Sequence, residues 1–361
     1  MLGFPHYIAY NLLFADLLHK FVYIEDAPYF IFPLLIPVIL WQISRYFFKG
    51  KVAFIPSIII ILSPWFWYLT EAHSFYIFLT FEILSLIYGI VLTKSGKIVF
   101  GNFIVILSAI SAIYVSSIFF VLVPFSLLLL LTTKIIGPKE FKIAIIGIII
   151  FTIPLLFLIG NNKTNFRNSL NLEIKVFSDP GIINTVNRYQ GAAGTGKLRY
   201  LAKISENKFI FYSEFFAMKY IDQFLPVTIF TPQYRLLEFS FNPPVLLGFA
   251  IPFVYGLFIL IQNQKLRKLF FVSTLLLIPS LLANTIVALN RLLLFLPVIA
   301  IIISYGFMKL SELRRKSAQL FLTITLLLIV FQSLVMIFDI RFRENQRKIA
   351  YLGKITTLVE P

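Results

Sequence analysis

The chain has no cysteine, only three histidines and little charge for its length. Without cysteine there are no disulfides and no thiolate metal centres, and His6, His19 and His73 alone make no convincing metal cluster. Charged residues are 13% of the 361 positions against 59% hydrophobic, and the mean hydropathy is +0.89. A soluble domain with that balance would carry far more apolar surface than its core could hide. Acids are also scarce, 16 against 32 Lys and Arg, which leaves a net charge of +16. Most of the bases stand at helix ends, so anionic headgroups account for the excess better than nucleic acid does. The sequence therefore reads as an all-α polytopic membrane protein, with 41 Phe and 17 Tyr serving lipid-facing surfaces and interfacial belts.

Apolar runs of about 16–22 residues suit a hydrocarbon core of about 30 Å. They predict about ten spans: Ile31–Phe48, Val52–Leu69, Phe75–Leu92, Ile98–Ile113, Ser117–Leu131, Ile143–Gly160, Pro244–Ile261, Leu269–Ile286, Leu292–Met308 and Leu320–Phe338. As a single helix, Ile98 to Leu131 would be about 50 Å long, so two short helices are expected there. The chain then divides into an interfacial helix in residues 1–30, an N-terminal transmembrane bundle in 31–160, a large extracytoplasmic loop in 161–243, a C-terminal transmembrane bundle in 244–338, and a tail in 339–361.

Basic loops set the orientation. Arg45, Lys49 and Lys51; Lys94 and Lys97; Lys134, Lys139 and Lys142; Lys265, Arg267 and Lys268; and Lys309, Arg314, Arg315 and Lys316 are all expected on one side, the cytoplasm. The tail Arg341–Lys348 falls on the other side, against that rule. Gly3–Phe21, with Asp16, His19 and Lys20, reads as an amphipathic helix lying on the outer surface. No basic segment and cleavage site mark a signal peptide, and an outside start calls for a span upstream.

The long loop runs from a polar stretch, Asn161–Arg199, into Tyr200–Phe230, where aromatic residues recur at helical spacing. Helices lying over the mouth of the bundle are expected, with Lys203, Lys208 and Lys219 on a solvated face. Gly191-Ala192-Ala193-Gly194-Thr195-Gly196-Lys197 satisfies the GxxxxGK part of a P-loop. Leu198 replaces the hydroxyl that would ligate Mg²⁺ and no buried strand precedes it, so a flexible turn is the better reading. Asn162-Lys163-Thr164 is a formal glycosylation sequon.

Candidate site residues collect on the same outer side. Glu71 and His73 stand where the third span enters the bilayer, beside Trp65, Trp67 and Tyr68, whose rings can anchor at the interface or stack on a sugar. Glu82 lies inside a span, eleven residues after Glu71 and so nearly on its helical face, either as a structural hydrogen-bond partner or as part of a polar path. Arg291 follows Asn290 at a helix start, where a guanidinium and free N–H groups suit phosphate oxygens. Arg235, just ahead of a returning span, is a second candidate anion contact.

These residues resemble a family. Leu62-Ser63-Pro64 followed by Tyr68-Leu69-Thr70-Glu71-Ala72-His73-Ser74-Phe75 is similar to the Ser-Pro and Gln-Glu-Ala-Arg-x-Tyr pattern of the GT-C superfamily, the polytopic glycosyltransferases that include protein mannosyltransferase-like and aminoarabinose-transferase-like enzymes. Asn290-Arg291-Leu292 through Pro297 to Tyr305-Gly306 resembles their Arg-Tyr-x-x-Pro helix near the lipid phosphate, and Pro5–Phe21 their external helix. Thr70 stands for Gln, His73 for Arg and Phe75 for Tyr.

The resemblance implies transfer of a sugar from a polyprenyl-phosphate carrier to a lipid, glycan or protein acceptor at the extracytoplasmic face. It casts Arg291 and Arg235 as donor-phosphate contacts and Glu71, His73 and Trp67 as substrate contacts, names no catalytic base, requires no cofactor and leaves a divalent cation open. The family's base is an acid after a first span. Glu25, Asp26 and Asp16 do not match it, so that span and its acidic motif are expected ahead of Met1. Two alternatives stand beside it. An O-antigen polymerase or ligase-like protein shares the spans and external loop, and a lipid-linked glycan transporter would show internal repeats, of which the sequence has none.

Overall fold

The computed structural model describes residues 27–71, 75–116, 118–134, 136–161, 184, 187–188, 208–231, 243–282, 291, 293–313 and 316–338. Among these it is almost entirely helical, with no strand. The helices are α1 (Ala27–Phe47), α2 (Ile55–Ile61), α3 (Pro64–Glu71), α4 (Phe75–Lys94), α5 (Ile98–Val115), α6 (Phe119–Thr132) and α7 (Pro138–Asn161). They continue as α8 (Lys208–Phe224), α9 (Pro226–Phe230), α10 (Ala250–Gln262), α11 (Gln264–Ser273), α12 (Ile278–Leu281), α13 (Leu296–Glu312) and α14 (Lys316–Phe338). Short 3-10 turns lead into α2, α10, α12 and α13.

Four segments are long and apolar enough to cross a membrane: Tyr76–Lys94, Ile98–Val115, Leu293–Glu312 and Gln319–Ile337. Shorter apolar helices occupy Ile31–Phe47, Gly50–Ile61, Phe119–Thr132, Leu247–Gln262 and Phe270–Leu281. Two of the expected spans are interrupted. Val52–Leu69 breaks at Ser63, because the ring of Pro64 disfavours helical backbone in the residue before it while suiting the first turn of a new helix. Leu269–Ile286 breaks into α11, a 3-10 turn at Thr274–Leu277 and the one-turn α12, which holds Pro279 near its start. Ile98–Leu131 forms two helices, parted at Ser116, whose backbone is extended.

One hydrophobic core joins both halves of the chain. Ile36, Ile60, Phe66, Phe253, Ile299 and Ile329 all belong to it. Lipid gives helices no hydrophobic reason to associate, so close backbone approach carries much of the packing. At the crossing of α10 and α13, a Cβ on Gly256 would strike the Ile302 carbonyl and one on Gly306 would strike the Pro252 carbonyl. Gly89 and Gly101 stand in the same relation between α4 and α5, where an added Cβ would lie 2.8 Å and 2.6 Å from the other glycine's carbonyl oxygen. In contrast α14 leaves Leu320, Leu327, Phe331 and Leu334 exposed, a surface suited to acyl chains.

The segment expected to be a loop is in part a piece of the bundle. Ile229 and Phe230 of α9 are buried in the main core, and Phe230 meets Phe253 of α10 edge-on at 5.4 Å. At the end of α8, Phe224 packs against Phe270 and Phe295 at 5.7 and 5.5 Å. Within α8 the buried and half-buried positions are 210–212, 215, 216, 219, 220 and 222–224, which recur with helical period. That stripe packs the helix against α9 and α12. Residues 1–26, most of the expected loop and the tail from 339 onward lie outside the described residues.

Candidate functional site

The chain direction sorts the helix ends. α1 and α4 run toward Phe47 and Lys94, and Tyr46, Phe47, Lys94, Lys134, Lys268 and Tyr305 line one cavity, so this is a lysine-rich end. Glu71, the start of α4 and Arg291 ahead of α13 therefore stand toward the opposite end.

At that Arg291 end the Ser63-Pro64 break is pinned by the returning chain. The Ser63 hydroxyl donates to the Pro244 carbonyl at 2.7 Å, the Trp65 N–H donates to the same oxygen at 3.3 Å, and the Val245 N–H donates to Ile229 at 3.0 Å. The break thus frees a hydroxyl and an amide to hold α10 and α9 in register. The Trp67 indole N–H donates to the Ile61 carbonyl at 2.6 Å, satisfying a backbone acceptor at the end of α2. Trp65 is 2% exposed, and its indole nitrogen has no hydrogen-bond partner among the described residues.

Two cations converge on α12. The Arg291 guanidinium donates to the Pro279 carbonyl at 2.7 Å, while the Lys219 amine donates to Leu281 at 3.1 Å and approaches Ser280 at 3.5 Å. These carbonyls belong to α12, a single turn whose backbone acceptors mostly lack intrahelical donors. Lys219, expected on a solvated face, is only 2% exposed and sits 5.1 Å from the ring centre of Phe215. Position 219 is buried because it falls on the aromatic stripe by which α8 packs. Burial, and then the neighbouring charge of Arg291, lower the Lys219 pKa from 10.5 to about 8.

Gln223 lies one turn further along the same stripe and is 1% exposed. Neither its amide nitrogen nor its oxygen has a partner among the described residues. Burying an amide without partners is costly, so natural proteins do it where the group has another use. Sequence reading missed Lys219 and Gln223, although a signal was present: two polar residues interrupting an otherwise aromatic stripe at i and i+4.

The other candidates separate. Glu71 closes α3, with its side chain outside the described atoms, and His73, Arg235, Asn290, Lys203 and the glycine-rich turn at 191–197 lie outside the described residues. Glu82 belongs to α4, and residues 72–74 between it and the helix of Glu71 lie outside the described residues. Its carboxyl is buried and takes hydrogen bonds from the hydroxyls of Ser111 and Ser108, which fits a structural partner between α4 and α5. Among the described residues no three His, Asp or Glu side chains gather as metal ligands.

Fold and site together define a helical protein with segments able to cross a membrane and, at one end, a buried lysine beside a half-buried arginine. No family model, no curated protein and no solved structure matches the chain.

Proposed function

We propose that this protein is a multi-pass membrane glycosyltransferase that moves a sugar from a polyprenyl-phosphate donor to an acceptor at the extracytoplasmic face. The observation that carries the reading is the pairing of Lys219 with Arg291 on the end of α12. When a glycosyl bond to a lipid phosphate breaks, negative charge develops on the phosphate oxygens, and fixed cations in a poorly hydrated site stabilise it. A guanidinium presents its donors in a fork that matches phosphate. The amide of Gln223, without a partner among the described residues, offers a donor and an acceptor of the kind sugar hydroxyls engage. The positive-inside rule assigns the lysine-rich end to the cytoplasm and hence Arg291 to the other face. The motif resemblance around Ser63-Pro64 and Asn290-Arg291 points to the same chemistry.

The test is a transfer assay on the full chain in liposomes, given a polyprenyl-phosphate-linked radiolabelled hexose and following release of free polyprenyl phosphate. Release is expected from the unaltered protein, with Arg291→Ala losing about 100-fold in kcat/KM, as removal of a charge-assisted phosphate contact does. Movement of the intact lipid-linked sugar across the bilayer without cleavage would overturn the enzyme reading in favour of a transporter.

A further inference from the structure

A second site, independent of the first, occupies the lysine-rich end. A cavity of about 740 Å³ opens between α4, α6 and α11, with Tyr46 and Phe47 of α1 and Tyr305 of α13 on its wall. Its interior is apolar, built from such residues as Ile83, Ile87, Leu122, Leu127, Val272 and Leu276. Lys94, Lys134 and Lys268 also line it, and all three are solvent-exposed. A neighbouring cavity of about 570 Å³ reaches α5 and α7 and shares Ile90, Lys94, Leu127 and Lys134 with the first. Two lysines therefore stand on the wall between two apolar chambers. Glu140 is the one acid lining either chamber, against three lysines.

The position of Lys134 adds a second observation. It follows the end of α6 with φ of 58°, and is the only non-glycine residue at positive φ among the described residues. Its N–H donates to the Leu131 carbonyl at 2.9 Å, closing the helix in a conformation that glycine adopts freely and lysine does not. The left-handed turn puts a cation where geometry alone would prefer a glycine.

We propose that these paired chambers hold an anionic phospholipid of the surrounding membrane, its phosphate on Lys94, Lys134 and Lys268 and its acyl chains in the two apolar chambers. The occupant follows from complementarity. A soluble anion has no use for two apolar chambers, and an acyl chain has no use for three lysines, whereas a phospholipid has both parts. The carboxyl ends of α4 and α6 also point negative dipole ends toward this rim, so the lysines and not backbone amides supply the attraction.

The experiment titrates the full chain, purified in detergent, with phosphatidylglycerol, phosphatidylcholine or inorganic phosphate, and reads bound lipid by native mass spectrometry. Saturable phosphatidylglycerol binding is expected, at least tenfold tighter than phosphatidylcholine and not displaced by inorganic phosphate. Lys134→Gly keeps the positive φ at no steric cost, so it should retain the unfolding temperature and lose about fivefold in phosphatidylglycerol affinity, with a similar loss for Lys268→Gln. Equal binding of both lipids would overturn the proposal, as would displacement by phosphate alone or unchanged affinity in both lysine variants.

Discussion

The two ends of the bundle both gather cations, but they do so in opposite ways. At the lysine-rich end Lys94, Lys134 and Lys268 are exposed around an apolar opening, with long stems free to reach for water or a headgroup. At the Arg291 end Lys219 is buried and, with Arg291, grips the carbonyls that finish α12. An exposed lysine costs little and adapts to what arrives. A buried one must be paid for by partners, and in return its ammonium is held in one place, as recognition of a defined phosphate in a reaction requires.

The largest expected effect breaks both ends at once. Gly306→Val would drive a side chain into the Pro252 carbonyl and force apart α10 and α13, and α13 links the Arg291 segment to Tyr305 of the lysine-rich cavity. Loss of folded protein in detergent, seen by size-exclusion chromatography, is the expected outcome. A variant that remained folded would show that this crossing can yield.

A pH titration sharpens the comparison next. Lys219 has its pKa lowered from 10.5 to about 8. Between those values the unfolded chain binds more protons than the folded one, so folding stability should rise with pH across that window. Donor affinity should run the other way, steady below pH about 8 and falling above it as the amine loses its charge. Lys219→Met should remove both dependences and weaken donor binding about tenfold. Unfolding curves and donor binding measured from pH 7 to 10 check the two signs together.

The smallest effect concerns Gln223. Replacing an unpartnered buried amide by an apolar side chain of similar volume should raise stability by about 1–2 kcal/mol while lowering transfer. An equal loss of stability would mean that the amide is held by groups beyond the described residues.

Particular residues show how much was legible beforehand. The four long spans follow from apolar runs, and the break at Ser63 could be read from Pro64. Arg291 stood out as a charge beside a helix. Lys219 did not, because a lysine on an amphipathic helix is solvated unless its particular face is the buried one, and which face that is depends on what α8 packs against.

The sequence alone determined the class of this protein: with so little charge and so much apolar surface, its helices need lipid or one another, and prolines fix where several of them begin. Tertiary structure decided the rest. Lys219 and Gln223 are distant in the chain from Arg291, and Lys94, Lys134 and Lys268 come from three separate elements, so only the packing of α8 against α12 and of α4, α6 and α11 around a cavity brings each set together. Hydrophobic pattern acts locally and is written residue by residue, whereas the burial of a charge depends on all the elements around it.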